Sequence, residues 1–186
     1  MNIISLATYC VWFITEVFLN RLLRSKITDR QNADKNSLLI IWVTIIATIF
    51  IAVWISINVN SVIFRHPALQ YLALGVIIIG IVLRLIAVVS LGKYFTVDVT
   101  IRKNHKLKKN GLYKYLRHPS YFASLISFIG FGISLNNWFS LLLTTIAVST
   151  VFIIRIRIEE KLLIEQFGPE YIDYKKVTSG LIPFIY

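Results

Sequence analysis

The stretch LLIIWVTIIATIFIAVWISI, Leu38–Ile57, runs for twenty residues without a charged side chain. At ~1.5 Å per residue a helix of that length covers ~30 Å, the thickness of a bilayer's hydrocarbon core. Its apolar residues are continuous and do not alternate, which points to a spanning helix and away from a barrel strand. Working outward, four further apolar runs flank it: Ile3–Asn20, Ala68–Leu91, Ser120–Leu135 and Trp138–Ile154. The last two are short and are joined by Asn136-Asn137, the pattern of a tight helical hairpin. With 56% hydrophobic and 16% charged residues, the chain reads as an all-α integral membrane protein of about five transmembrane helices.

The first run carries Glu16 and no small-residue cleavage site follows it, so it reads as a retained helix and not as a signal peptide. Cys10 is the single cysteine, which excludes an intrachain disulfide and a cysteine-based metal site. The net charge of +11 is unevenly placed. Residues Arg21–Lys35 hold five cations and two acids, and Lys93–Arg117 hold eight cations and one acid. The connections at Asn58–Pro67 and Asn136-Asn137 hold one cation and none. By the positive-inside rule both basic loops are cytoplasmic, with the amino terminus outside and the carboxyl terminus inside. The basic balance serves orientation and anionic headgroups, and no nucleic-acid module is present.

The chain reads as one membrane domain, with residues 1–91 as a three-helix lead-in and 92–186 as the part that carries chemistry. The connection from Gly92 to Leu116 is long and holds many apolar and aromatic residues, too many for a free linker, so it is expected to fold back over the helix ends. Gly111 stands where a tight turn is needed, and Pro119 suits the first turn of the fourth run. Ala123, Ser127, Gly130 and Ser134 form a small-residue stripe that permits close helix packing in a bilayer. Beyond Ile154 the pattern changes to an amphipathic helix, Arg155 to Phe167, stopped by Gly168-Pro169. Leu181-Ile182-Pro183-Phe184 is apolar enough to return to the membrane.

Arg155 and Glu159, four residues apart, share one face of that last helix, with Glu160 beside them. An arginine fork can hold a carboxylate, and a carboxylate can accept hydrogen bonds from a polar cofactor. Glu16 and Arg84 lie inside apolar runs, ~8–12 Å from the same end at ~1.5 Å per residue, and are expected to pair. His105 and His118 with Glu159 match no zinc spacing, so no metal site is assigned. Ser120 follows a proline at a helix start, which is not the strained elbow of a serine nucleophile.

Two separated blocks then carry a resemblance. His105-x-Leu107, Gly111-x-Tyr113 and Arg117-His118-Pro119-Ser120-Tyr121 make the first; Arg155-x-x-x-Glu159-Glu160 and Phe167-Gly168-x-Glu170-Tyr171-x-x-Tyr174 make the second. In order and spacing the region from Leu91 to Phe184 resembles the isoprenylcysteine carboxyl methyltransferase family, and the chain looks like a small microbial member. The resemblance implies S-adenosyl-L-methionine as cofactor, bound at the cytosolic face by a pocket between the boundary loop and the carboxyl-terminal amphipathic helix. The implied cofactor contacts are His105, Lys106, Leu107, Lys108, Tyr113, His118, Pro119, Ser120, Tyr121 and Glu159, with Asp98 a weaker match. Arg155 corresponds to the residue that receives the substrate carboxylate. The implied substrate is a lipophilic isoprenylcysteine-like carboxylate drawn from the bilayer. A carboxylate acceptor is already ionised and needs no general base; a thiol or phospholipid-amine acceptor needs a proton sink, for which His118 or Glu160 is the candidate. A non-catalytic protein that binds anionic lipid or a partner through its basic face is the reading from a different class.

Overall fold

The computed structural model describes residues 3–22, 37–66, 68–92 and 107–183, and all the regular elements among them are helical. In chain order they are α1 (Ile3–Leu22), α2 (Ser37–Asn58), α3 (Leu69–Leu91), a 3-10 turn (Gly111–Lys114), α4 (Pro119–Ser134), α5 (Trp138–Phe167) and α6 (Pro169–Lys176). All five apolar runs are therefore helices. Three, in α2, α3 and α5, are long and apolar enough to cross a membrane; Ile3–Leu19 and Pro119–Ser134 are shorter apolar helices. Ile4, Phe13, Leu39, Phe50, Trp54, Leu72, Val89 and Ile146 lie exposed on the outer faces, as expected of side chains whose solvent is lipid.

The tightest packing joins α3 to α4, and small residues make it possible. A β-carbon on Gly80 would lie 2.7 Å from the Ala123 carbonyl oxygen and would collide with Ser127, so α4 approaches the α3 backbone directly. Ser127 donates from Oγ to the Ile77 carbonyl at 3.3 Å across the same seam. The stripe on α4 is thus a packing face along Ala123, Ser127 and Gly130. α1 rests on α3, α2 on α5, and α4 on α5. The lead-in helices interleave with the later ones, and Trp12, Leu74, Ile77, Phe128, Phe131, Val148, Phe152 and Ile156 share one core.

Two stitches close the ends of the bundle. At the uncharged end, Asn137 caps α5 by accepting from the Phe139 and Ser140 amides at 3.0 and 3.1 Å. Its Nδ2 donates to the Val59 carbonyl at 2.6 Å, while Asn136, at φ 52°, accepts from the Phe64 amide at 2.9 Å. The two asparagines thereby fasten the α4–α5 turn to the α2–α3 connection. At the opposite end α5 continues unbroken through Arg155 to Phe167, and Gly168, at φ 54°, turns the chain into α6. The tail then doubles back: the Arg117 amide donates to the Ser179 carbonyl at 2.8 Å and the Ser179 amide to the Tyr115 carbonyl at 3.1 Å. Leu181 is buried in the core and Ile182 packs against it, so these two tail residues face protein. Phe184 lies outside the described residues.

Candidate active site

A cavity of about 810 Å³ occupies the space between α1, α2 and α4 and ends against α5 and α6. Its long wall is largely apolar, with Trp12, Ile41, Ile45, Ile49, Phe128 and Phe131; its charged lining, Glu16, Arg84, Lys108, Arg117, Arg155 and Glu159, gathers at the end where the basic loops attach. That polar end is built by three elements. The 3-10 turn is anchored to α3 by the Tyr113 hydroxyl, which donates to the Ala87 carbonyl at 3.2 Å. Pro119 starts α4 immediately after the clasped Arg117-His118 pair, which fixes Ser120 and Tyr121 in its first turn. The charged end of α5 supplies Arg155 and Glu159.

Arg155 is 1% exposed, so its guanidinium is held at the cavity wall and does not snorkel to a surface. Glu159 is the open carboxylate, with its side chain 33% exposed. Tyr121 donates to Glu159 Oε2 at 3.1 Å, and the same oxygen lies 3.8 Å from His118 Nδ1. The Tyr121 ring packs on Phe152 with centroids 5.2 Å apart, so the phenol is braced from the α5 side. His118 Nε2 is buried and makes no hydrogen bond among the described residues.

The expected ion pair of Glu16 with Arg84 is present at 2.8 Å between Oε2 and Nη2. Arg84 Nη1 also donates to the Ser120 carbonyl and Oγ at 3.2 and 3.0 Å. The intramembrane charges therefore tie α1 and α3 to the first turn of α4, and Glu16, Arg84 and Ser120 all line the cavity.

Of the residues singled out from sequence, Leu107, Lys108, Tyr113, His118, Pro119, Ser120, Tyr121, Arg155 and Glu159 line this one cavity. His105, Lys106 and Asp98 lie outside the described residues. Glu160 is not among the residues that line the cavity. Its carboxylate lies between two cations, with Arg117 Nε at 2.7 Å and Lys175 Nζ at 2.6 Å, and His118 Nε2 is 3.6 Å from Oε1. Arg117 completes the clasp by donating from Nη1 to the Lys175 carbonyl at 3.1 Å and to the Thr178 carbonyl.

Arg117, Tyr171 and Tyr174, which the motifs contain without an assigned part, also line the cavity. Tyr174 donates to the Tyr113 carbonyl, and burial pushes its phenol up to about 12. Burial pushes the Tyr113 and Tyr171 phenols further up, so all three stay neutral under physiological conditions.

A helical bundle with a buried arginine and an open carboxylate beside a largely apolar chamber defines the class as an integral membrane protein. Comparison with known proteins gives that class its family. The profile of the "Isoprenylcysteine carboxyl methyltransferase (ICMT) family" matches residues 72–165, and the chain belongs to this family. It is 36% identical over 124 residues to protein-S-isoprenylcysteine O-methyltransferase B of Arabidopsis thaliana, covering 65% of this chain and 62% of that protein. It is 37% identical over 124 residues to the protein-S-isoprenylcysteine O-methyltransferase of Schizosaccharomyces pombe, covering 66% and 52%. A solved structure, that of the eukaryotic intramembrane Ras methyltransferase ICMT without a monobody, superposes with a TM-score of 0.65 at 25% identity, covering 96% of this chain and 67% of that one. The chain spans less than two thirds of the length of these two sequence relatives. They come from a plant and a yeast, so the match does not single out a microbial member.

Proposed function

We propose that this chain transfers a methyl group from S-adenosyl-L-methionine to the carboxylate of an isoprenylcysteine-like lipid at the cytosolic face of a membrane. The observation that carries the reading is Arg155. Its guanidinium is 1% exposed, stands at the cavity wall one helical turn from Glu159, and has the fork geometry that receives a carboxylate. The relatives named as isoprenylcysteine O-methyltransferases supply the acceptor class, and the family supplies the need for a methyl donor.

The residues present fit that cofactor. Glu159 offers a half-open carboxylate to ribose hydroxyls or an amino group, and the Tyr121 and Phe152 rings offer faces to a sulfonium. His118 stands between the two acids, with Nδ1 3.8 Å from Glu159 and Nε2 3.6 Å from Glu160, and lines the same wall. The resemblance also implies His105 and Lys106 as cofactor contacts. When bound, the cofactor supplies an electrophilic methyl group on a cationic sulfur.

The chain's own part is alignment and exclusion of water. Arg155 holds the acceptor carboxylate, which is ionised at neutral pH and loses no proton on esterification. Tyr121 fixes the direction of the Glu159 carboxylate by its hydrogen bond. Arg117, Glu160 and Lys175 close the back of the pocket by holding the tail against the boundary loop. The apolar chamber between α1, α2 and α4 receives the lipid tail. In this reading residues 92–186 carry the cofactor side, the first three helices carry most of the chamber, and the positive-inside rule puts the polar end in the cytoplasm.

Calorimetric titration of the purified protein with S-adenosyl-L-homocysteine tests the cofactor half; saturable binding supports it, and no binding at millimolar ligand sinks it. Arg155→Ala is expected to abolish transfer while leaving that affinity unchanged. Equal loss of both refutes the division of roles.

A further inference from the structure

The lipid-facing side of α5 changes character at one level. Leu142, Ile146 and Ile154 make an exposed apolar stripe along it, interrupted by Thr150, whose hydroxyl donates to the Ile146 carbonyl at 2.8 Å. The next exposed positions on that side are Arg157 and Lys161. Neither cation makes a hydrogen bond or an ion pair among the described residues. Their neighbours differ: Lys109, Lys175 and Lys176 pair with Glu170, Glu160 and Asp173. Glu165 is exposed one turn beyond Lys161, so the cationic band is bounded on both sides.

Depth places the band in a headgroup layer. Trp138, exposed at the start of α5, suits the interface at the uncharged end, where aromatic rings gather. At ~1.5 Å per residue Arg157 then stands ~28 Å further on and Lys161 ~34 Å, against a hydrocarbon core of ~30 Å. An anionic amphiphile complements this surface: acyl chains lie on Ile146 and Ile154, a phosphate meets Arg157, and the rest of the head reaches Lys161. Two residues turn a helix by ~200°, so Arg157 and Lys161 stand opposite Arg155 and Glu159, which line the cavity. Interfacial cations help to set the rotation of a spanning helix. We propose that Arg157 and Lys161 hold an anionic phospholipid of the leaflet at the charged end, and that this contact fixes how the opposite face of α5 presents Arg155 and Glu159. The lipid site stands apart from the methyl-transfer reading; only its consequence for Arg155 and Glu159 rests on it.

The test titrates the full chain with phosphatidylglycerol in zwitterionic micelles and reads the Kd of the first bound lipid by native mass spectrometry. Arg157→Gln combined with Lys161→Gln is expected to weaken binding by about tenfold or more, at about fivefold per cation. The exchange Arg157→Lys with Lys161→Arg keeps both charges and is expected to keep the affinity, as is Lys176→Gln on α6. An unchanged Kd in the double glutamine variant, or an equal loss in Lys176→Gln, overturns the site. Displacement by millimolar glycerol phosphate or by a polyglutamate peptide gives the surface to a soluble anion or an acidic protein and overturns the lipid as occupant. The second readout is S-adenosyl-L-homocysteine affinity in phosphatidylcholine nanodiscs with and without phosphatidylglycerol. The unaltered protein is expected to bind more tightly with the anionic lipid and the double glutamine variant equally in both. A flat response of the unaltered protein overturns the orienting role. Lipid binding that follows the predicted order without homocysteine-analogue binding in any lipid upholds the site and overturns the functional reading.

Discussion

Replacing Arg84 by Met should do two separable things, because its guanidinium serves two helices at once. It ends the 2.8 Å ion pair with Glu16 and the two bonds to Ser120. Removing one partner of a buried pair costs ~3–5 kcal/mol, and of an exposed pair ~0–1 kcal/mol. The Arg84 and Glu16 side chains are 15% and 19% exposed, nearer the buried limit, and the lost Ser120 bonds add to the cost. We expect Arg84→Met to destabilise by ~2–4 kcal/mol and Glu16→Gln by ~1–2 kcal/mol, the smaller value because Arg84 keeps its Ser120 contacts. The double variant should be less destabilised than the sum of the two, by a coupling of ~1 kcal/mol or more. Reversible unfolding in mixed micelles, read by circular dichroism for the four proteins, measures each value. A double variant at or above the sum of the singles refutes the pair as a stabilising device. Arg84→Met should also weaken S-adenosyl-L-homocysteine binding more than Glu16→Gln does, since only Arg84 touches the α4 turn that lines the pocket.

Three further perturbations probe other contacts. Glu160→Gln leaves Arg117 and Lys175 without their anion and should cost ~2–4 kcal/mol while raising hydrogen exchange at the Ser179 amide; unchanged exchange there would show that the clasp does not hold the tail. Tyr121→Phe removes one hydrogen bond to a carboxylate and should weaken S-adenosyl-L-homocysteine by ~1.5–3 kcal/mol with little change in melting temperature; calorimetry showing no loss would remove Tyr121 from the cofactor wall. Gly80→Val drives a branched side chain into the Ala123 carbonyl and should destabilise by ~3 kcal/mol or prevent folding, whereas Gly75→Ala, where a β-carbon meets nothing within 4 Å, should be tolerated; similar behaviour of the two would refute close α3–α4 packing.

The five helices were legible because uninterrupted apolar runs of spanning length leave the backbone few alternatives in lipid. The face shared by Arg155 and Glu159 was legible from their spacing of four. The surroundings of Glu160 were not legible: one residue beyond Glu159 turns the helix by about 100° and brings its carboxylate to Arg117 and to Lys175 of α6. Its partners Arg117 and Lys175 stand 43 and 15 residues away, and no periodicity encodes such contacts. Asn136-Asn137 carried a signal that was read only as a turn. Asparagine is a strong helix cap, and a second one beside it, uncharged at the end of two short helices, has amide groups to spend on the neighbouring connection.

The central claim is most directly tested by incubating the purified protein in proteoliposomes with methyl-labelled S-adenosyl-L-methionine and N-acetyl-S-farnesylcysteine. The account predicts label in the lipid product as a base-labile methyl ester, absent when Arg155 is replaced by alanine. Label that survives base, or an Arg155→Ala protein that esterifies as well as the unaltered one, would contradict it.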